Sequence, residues 1–158
     1  MDCNVSVAQM PKTVTSSRLA LGTAQFGLNY GVANRNGQVP EDIVASILDS
    51  AAIAGLDTLD TAIAYGESES LLGRIGVDPW QIVTKLPPLP NGFSGDVRDW
   101  VMVAVSGSLQ RLGRDRLRGV LLHRPADLLG EHGRQLYDAL VELKDKGRVD
   151  KIGVSIYQ

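Results

Sequence analysis

From Arg18 onward, short unbroken apolar runs alternate with longer stretches of helical period, and that alternation leaves the chain few ways to fold. "RLALGT" (Arg18 to Thr23), "LDTLD", "WQIVTK", "RGVLLH" and "KIGVS" read as strands. After the first of these, "EDIVASILDSAAIAG" puts Ile43, Ile47, Ala51 and Ala54 on one helical face, with Pro40 suited to the first turn and Gly55 to the stop. "ESESLLGRI" predicts a short helix whose acids, Glu67 and Glu69, serve the positive end of the helix dipole and solvent. In "DVRDWVMVAVSGSLQRLG", Val97, Val101, Val105 and Leu109 recur at four-residue steps before Gly113. In "EHGRQLYDALVELKDKG", Leu136, Leu140 and Leu143 face inward before Gly147. Strands that are apolar throughout are buried on both faces, so strands separated by helices in this way predict a parallel sheet covered by helices.

Two architectures satisfy the pattern. An open doubly wound sheet suits 158 residues, whereas a complete (β/α)8 barrel needs about 250. The residues that end the strands favour the barrel. They are Thr23, Asp60, Lys85, His123 and Ser155, one polar group per strand. An isolated Asp or Lys is costly to bury, so charged groups on successive strand ends point to mutual neutralisation around a shared site. Barrels carry their chemistry at that C-terminal mouth. No G-x-G-x-x-G follows the first strand, as the doubly wound dinucleotide fold would require. The expected fold is α/β: a parallel (β/α) barrel of TIM type, incomplete, with about five strands and four helices of the eight. Residues 1–17 are expected to form a flexible tail and residues 18–158 the partial barrel.

Six segments, "GTAQFG", "GLDTLDTAIAYGESESLLG", "IVTK", "SLQRLG", "VLLHRP" and "GRVDKIGVS", together resemble the aldo-keto reductase family, in the family's order across Arg18 to Ser155. The resemblance implies a (β/α)8 barrel that moves a hydride between a nicotinamide cofactor, NADPH or alternatively NADH, and a small carbonyl compound. It implies a catalytic set of Asp60, Tyr65, Lys85 and His123. It also implies cofactor contacts at Gly22, Thr23, Asp60 and Ser155, the last to the nicotinamide amide. Relatives often carry Asn after that serine, where this chain has Ile156. The family's later strands and cofactor-gripping loops have no counterpart before Gln158.

The implied chemistry is sound on elementary grounds. Hydride arriving at a carbonyl carbon builds charge on oxygen, which a proton donor must relieve. A tyrosine is protonated at neutral pH and can donate. Lys85 would stabilise the resulting phenolate, Asp60 would hold the ammonium, and His123 would orient the substrate oxygen. Simpler roles compete. Asp60 could cap a turn, Tyr65 could pack with a wet hydroxyl, and His123 could be a satisfied buried histidine. Phe26 and Tyr30 could line a pocket or pack on the scaffold, and the glycines of "GTAQFG" could only permit a turn. Lys85 could instead form a Schiff base, as in a lyase, or the barrel could be a non-catalytic interaction module.

Other classes are disfavoured. The formal charge of −2, with acids and bases mixed, gives no footprint for nucleic acid or an anionic membrane. Two histidines and one cysteine, Cys3, offer no metal-ligand spacing and no internal disulfide, which suits the cytoplasm. The N-terminal stretch lacks a signal peptide's basic and apolar regions, and no apolar run reaches the roughly 18 residues of a membrane span. If the chain truly ends at Gln158, its open strand edges predict self-association or docking of a C-terminal half-barrel.

Overall fold

A computed structural model describes residues 19–156, so the tail assigned to residues 1–17, with Cys3, lies outside the described residues. The elements are β1 (Leu21–Gly22), α1 (Ala24–Gly27), α2 (Glu41–Ile53), β2 (Thr58–Asp60), α3 (Ser68–Ile75), β3 (Gln81–Leu86), α4 (Val97–Leu112), β4 (Leu117–Leu122), α5 (Ala126–Leu129), α6 (Gly133–Asp145) and β5 (Val149–Val154). The five strands form one sheet in the order β1-β2-β3-β4-β5, every pairing parallel. A doubly wound sheet would reverse its order at a switch point. Strands that follow each other around the sheet in chain order are the arrangement of a (β/α) barrel, here five strands of one.

The helices form where periodicity predicts them, with one shift of face. On α4, Val97, Val101, Val105 and Leu109 are all buried, each worth roughly 1.5–3 kcal/mol of apolar burial. The helix starts where Asp96 accepts the Asp99 amide at 2.8 Å and stops at Gly113 in the left-handed region, φ 64°. On α6, Leu136, Leu140 and Leu143 are buried as expected. On α2 the inward stripe is Val44, Ile47, Leu48 and Ala51, while Ile43 is 47% exposed and Ala54 is exposed. The reason is geometric: steps of three and four around Val44 and Leu48 follow the 3.6-residue turn, and a face begun at Ile43 sits at its margin.

Two short helices that apolar patterning does not signal, α1 and α5, lie in the segments after β1 and β4. Neither reaches two turns, so neither leaves a periodic trace. Among the described residues no helix is long and apolar enough to cross a membrane.

Candidate active site

The backbone ladder runs past the assigned ends of β1, β2, β4 and β5 and carries the polar residues with it. Thr23 N donates to Asp60 O (3.0 Å), Thr61 N to Val83 O (2.9 Å), His123 N to Leu86 O (3.0 Å) and Ser155 N to Leu122 O (2.9 Å). Each of these residues is therefore held by the neighbouring strand just beyond its own. Asp60 is in register with Val83. Side chains two apart on a strand share a face, so Asp60, Val83 and Lys85 point to one side.

Lys85 and Asp60 meet on that side. The Lys85 Nζ donates to Asp60 Oδ1 at 2.7 Å, to the Thr61 carbonyl at 3.0 Å and to Tyr65 Oη at 3.4 Å. An ammonium has three donors, and here each has an acceptor. The lysine side chain is only 6% exposed while the aspartate's is 40% exposed, so the pair opens toward solvent on the carboxylate side.

Tyr65 reaches the pair through consecutive turns. After Ile63 N donates to Lys85 O (3.2 Å), Tyr65 N bonds Ala62 O (3.0 Å) and Ser68 N bonds Tyr65 O (3.0 Å). Because Tyr65 Oη accepts from lysine, its own proton remains available to another acceptor. The Tyr65 and His123 rings meet edge to face with centroids 5.8 Å apart. Burial, then the charge of Lys85, holds the His123 imidazole below its usual pKa of 6.5, so near pH 7 it is largely neutral, with one N–H donor and one acceptor. The structure thus brings Asp60, Tyr65, Lys85 and His123 together at one mouth, on three adjacent strand ends. Acid, base and hydrogen-bond donor converge where a carbonyl oxygen could sit.

The residues named for a cofactor divide. Gly22 is exposed, and a Cβ added there would meet no atom within 4 Å. The Ser155 side chain is half-buried and makes no hydrogen bond among the described residues. An open glycine, a serine hydroxyl and a half-exposed carboxylate suit an uncharged amide with both donors and an acceptor. Thr23 is 0% exposed. Its hydroxyl donates to Asp60 O (3.2 Å) and accepts from Ser68 Oγ (2.9 Å), so it braces the rim from beneath. Phe26 is buried in the core, and Tyr30 is half exposed. Among the described residues no group of three His, Cys, Asp or Glu could hold a metal ion.

Glu69 departs from its expected place on the solvent side of α3. It is 1% exposed. Its carboxylate accepts from Thr84 (2.6 Å), Ser108 (2.9 and 3.1 Å) and Arg111 Nε (2.9 Å). The acid enters the core because α4 supplies a cation and a hydroxyl there, without which a buried carboxylate is not tolerated. The only sequence signal was the coincidence of an acid on α3 with "SLQR" one helix later, which no single-segment periodicity reveals.

A parallel sheet wound in chain order, with its polar groups gathered at the C-terminal mouth, defines the chain as part of a (β/α)-barrel enzyme fold. The aldo/keto reductase family model matches residues 18–158, and the chain belongs to that family. An aldo-keto reductase of Mycolicibacterium paratuberculosis is 32% identical over 134 residues, covering 81% of this chain and 43% of that protein. A 6-dehydroglucose reductase of Novosphingobium aromaticivorans is 34% identical over 137 residues, covering 76% of this chain and 43% of that one. A crystal structure described as an aldo-keto reductase from Pseudomonas aeruginosa superposes with a TM-score of 0.74 at 32% identity, over 89% of this chain and 56% of that one. The chain thus spans less than half the length of these curated relatives.

Proposed function

We propose that the protein is a cytoplasmic carbonyl reductase that transfers hydride from NADPH, or NADH, to a small aldehyde or ketone, with Tyr65 as proton donor. One observation carries the reading: the Lys85 amine lies 2.7 Å from Asp60 and 3.4 Å from the Tyr65 hydroxyl, with the His123 ring against Tyr65. The cofactor, when bound, supplies the hydride. Gly22, Ser155 and the Asp60 carboxylate are the residues that would receive its nicotinamide end. His123 donates to the carbonyl oxygen and orients it. Tyr65 releases its proton to that oxygen as charge develops, and Lys85, held by Asp60, stabilises the phenolate left behind. A Schiff-base role fits Lys85 less well, because its nitrogen is enclosed and directed at three internal acceptors.

The test is NADPH and NADH oxidation against a panel of small aldehydes and ketones. The panel includes an oxidised sugar, because one relative is named a 6-dehydroglucose reductase. Turnover of at least one member is expected; cofactor binding with no turnover of any would favour an interaction module. The edges of β1 and β5 have no strand partner among the described residues, and open edges recruit one. We therefore include a C-terminal half-barrel, or a second copy, as their cover. Sedimentation of residues 18–158 as a well-folded monomer at high concentration would remove that part.

A further inference from the structure

We propose that Glu69 and Thr84 act as a positioning pair that sets the gap between the Lys85 amine and the Tyr65 hydroxyl; this rests on the reading of those two as the reacting pair. The gap needs setting. At 3.4 Å it lies beyond the usual range of about 2.7–3.2 Å for an N–H···O bond, so a small shift of either partner makes or loses the contact.

Both sides of the gap lead back to one buried carboxylate. Thr84 precedes Lys85 on β3 and points to the opposite face. Its hydroxyl donates to Glu69 at 2.6 Å, the shortest of that carboxylate's hydrogen bonds. The strand is thereby pulled from the helix side at the residue next to the lysine. On the other side, Glu69 lies four residues after Tyr65, and the chain between is fixed. Ser68 N bonds Tyr65 O (3.0 Å). Its hydroxyl donates to the Thr23 carbonyl (3.1 Å) or Thr23 Oγ1 (2.9 Å) and shares a bond with Thr61 Oγ1 (3.2 Å). Ser108 and Arg111 of α4 anchor the carboxylate from a third side. An apolar residue of similar size would stabilise such a core at least as well as a buried ion pair. What the carboxylate adds is direction: it fixes the height of β3 against the start of α3.

The test uses the protein as the cell makes it, with Thr84→Val, Thr84→Ser and Glu69→Gln compared by steady-state kinetics. The same variants are labelled with trinitrobenzenesulfonate and mapped by mass spectrometry. Thr84→Val is nearly isosteric and replaces the hydroxyl by a methyl that cannot donate to Glu69. It is expected to lower kcat roughly tenfold, because small misplacements at a reacting centre have large effects, with KM for carbonyl and cofactor nearly unchanged. Labelling of Lys85 should rise several-fold while Lys144, Lys146 and Lys151 label as before. Thr84→Ser should restore both readouts, and Glu69→Gln should reproduce the Thr84→Val pattern. Wild-type kcat and Lys85 labelling in Thr84→Val would overturn the proposal. So would a rise at all lysines alike, or failure of Thr84→Ser to restore. If the wild type reduces no carbonyl, the proposed function fails, and the labelling alone decides whether the pair positions Lys85.

Discussion

Tyr65→Phe is expected to lower kcat for carbonyl reduction by about 10²–10⁴-fold, the span associated with losing a general acid, while cofactor affinity stays within a few-fold of wild type. The substitution deletes one oxygen and leaves the ring. The edge-to-face packing on His123 needs only the ring, and the loop geometry comes from main-chain bonds through Ala62 and Ser68. Lys85 keeps its bonds to Asp60 and the Thr61 carbonyl, so the rest of the site stays in place. A loss that appears in kcat with unchanged cofactor binding, followed by fluorescence titration, identifies an interaction made in the transition state. Retention of most turnover would remove Tyr65 from the proton-transfer role.

Gly27→Ala is expected to destabilise the protein by about 2–3 kcal/mol, in the range of overpacked cores, and to lower the melting temperature by roughly 5–10 °C. A Cβ at Gly27 would sit 1.8 Å from the Tyr65 carbonyl oxygen and 2.4 Å from the Ser68 nitrogen. Both are backbone atoms, so no rotamer change relieves the contact. Gly66 makes the reciprocal approach, its Cβ position lying 2.4 Å from Gly27 O, and its φ of +53° also favours glycine. The clash falls on the segment that carries Tyr65, so turnover should fall along with stability. Gly22→Ala is the control within the same hexapeptide, since its added methyl meets nothing within 4 Å. It should leave thermal unfolding nearly unchanged. Equal melting temperatures for Gly27→Ala and wild type would show that the loop can move aside.

The repeated strand and helix pattern was legible because each element's burial is written in its own periodicity, as on α4 and α6. The strand-end residues were legible too: Asp60, Lys85 and His123 stand out as polar groups closing apolar runs. What patterning missed was made by contact between elements distant in sequence. Glu69 reads as a solvated first-turn acid until Ser108 and Arg111 of α4 come beside it. Thr23 reads as a rim residue until Ser68, 45 positions away, accounts for its burial. Gly27 carries no signal of its own, because the reason for it is another segment's main chain. On α2, Ile47 and Ala51 lie on the inward stripe as expected while Ile43 gives way to Val44, since the two are equally apolar and only packing chooses between them.

Sheet neighbours here are also neighbours along the chain, which bears on how the protein is made. Among the described strands, each can pair with its predecessor once both are synthesised, with the intervening helix closing over them. Each pairing still closes the loop of a parallel crossover, and that entropic cost makes such a sheet slower to form than a helical bundle. The Asp60, Lys85 and Tyr65 constellation is drawn from β2, β3 and the segment between them, but the buried Glu69 beside it acquires Ser108 and Arg111 only when α4 follows.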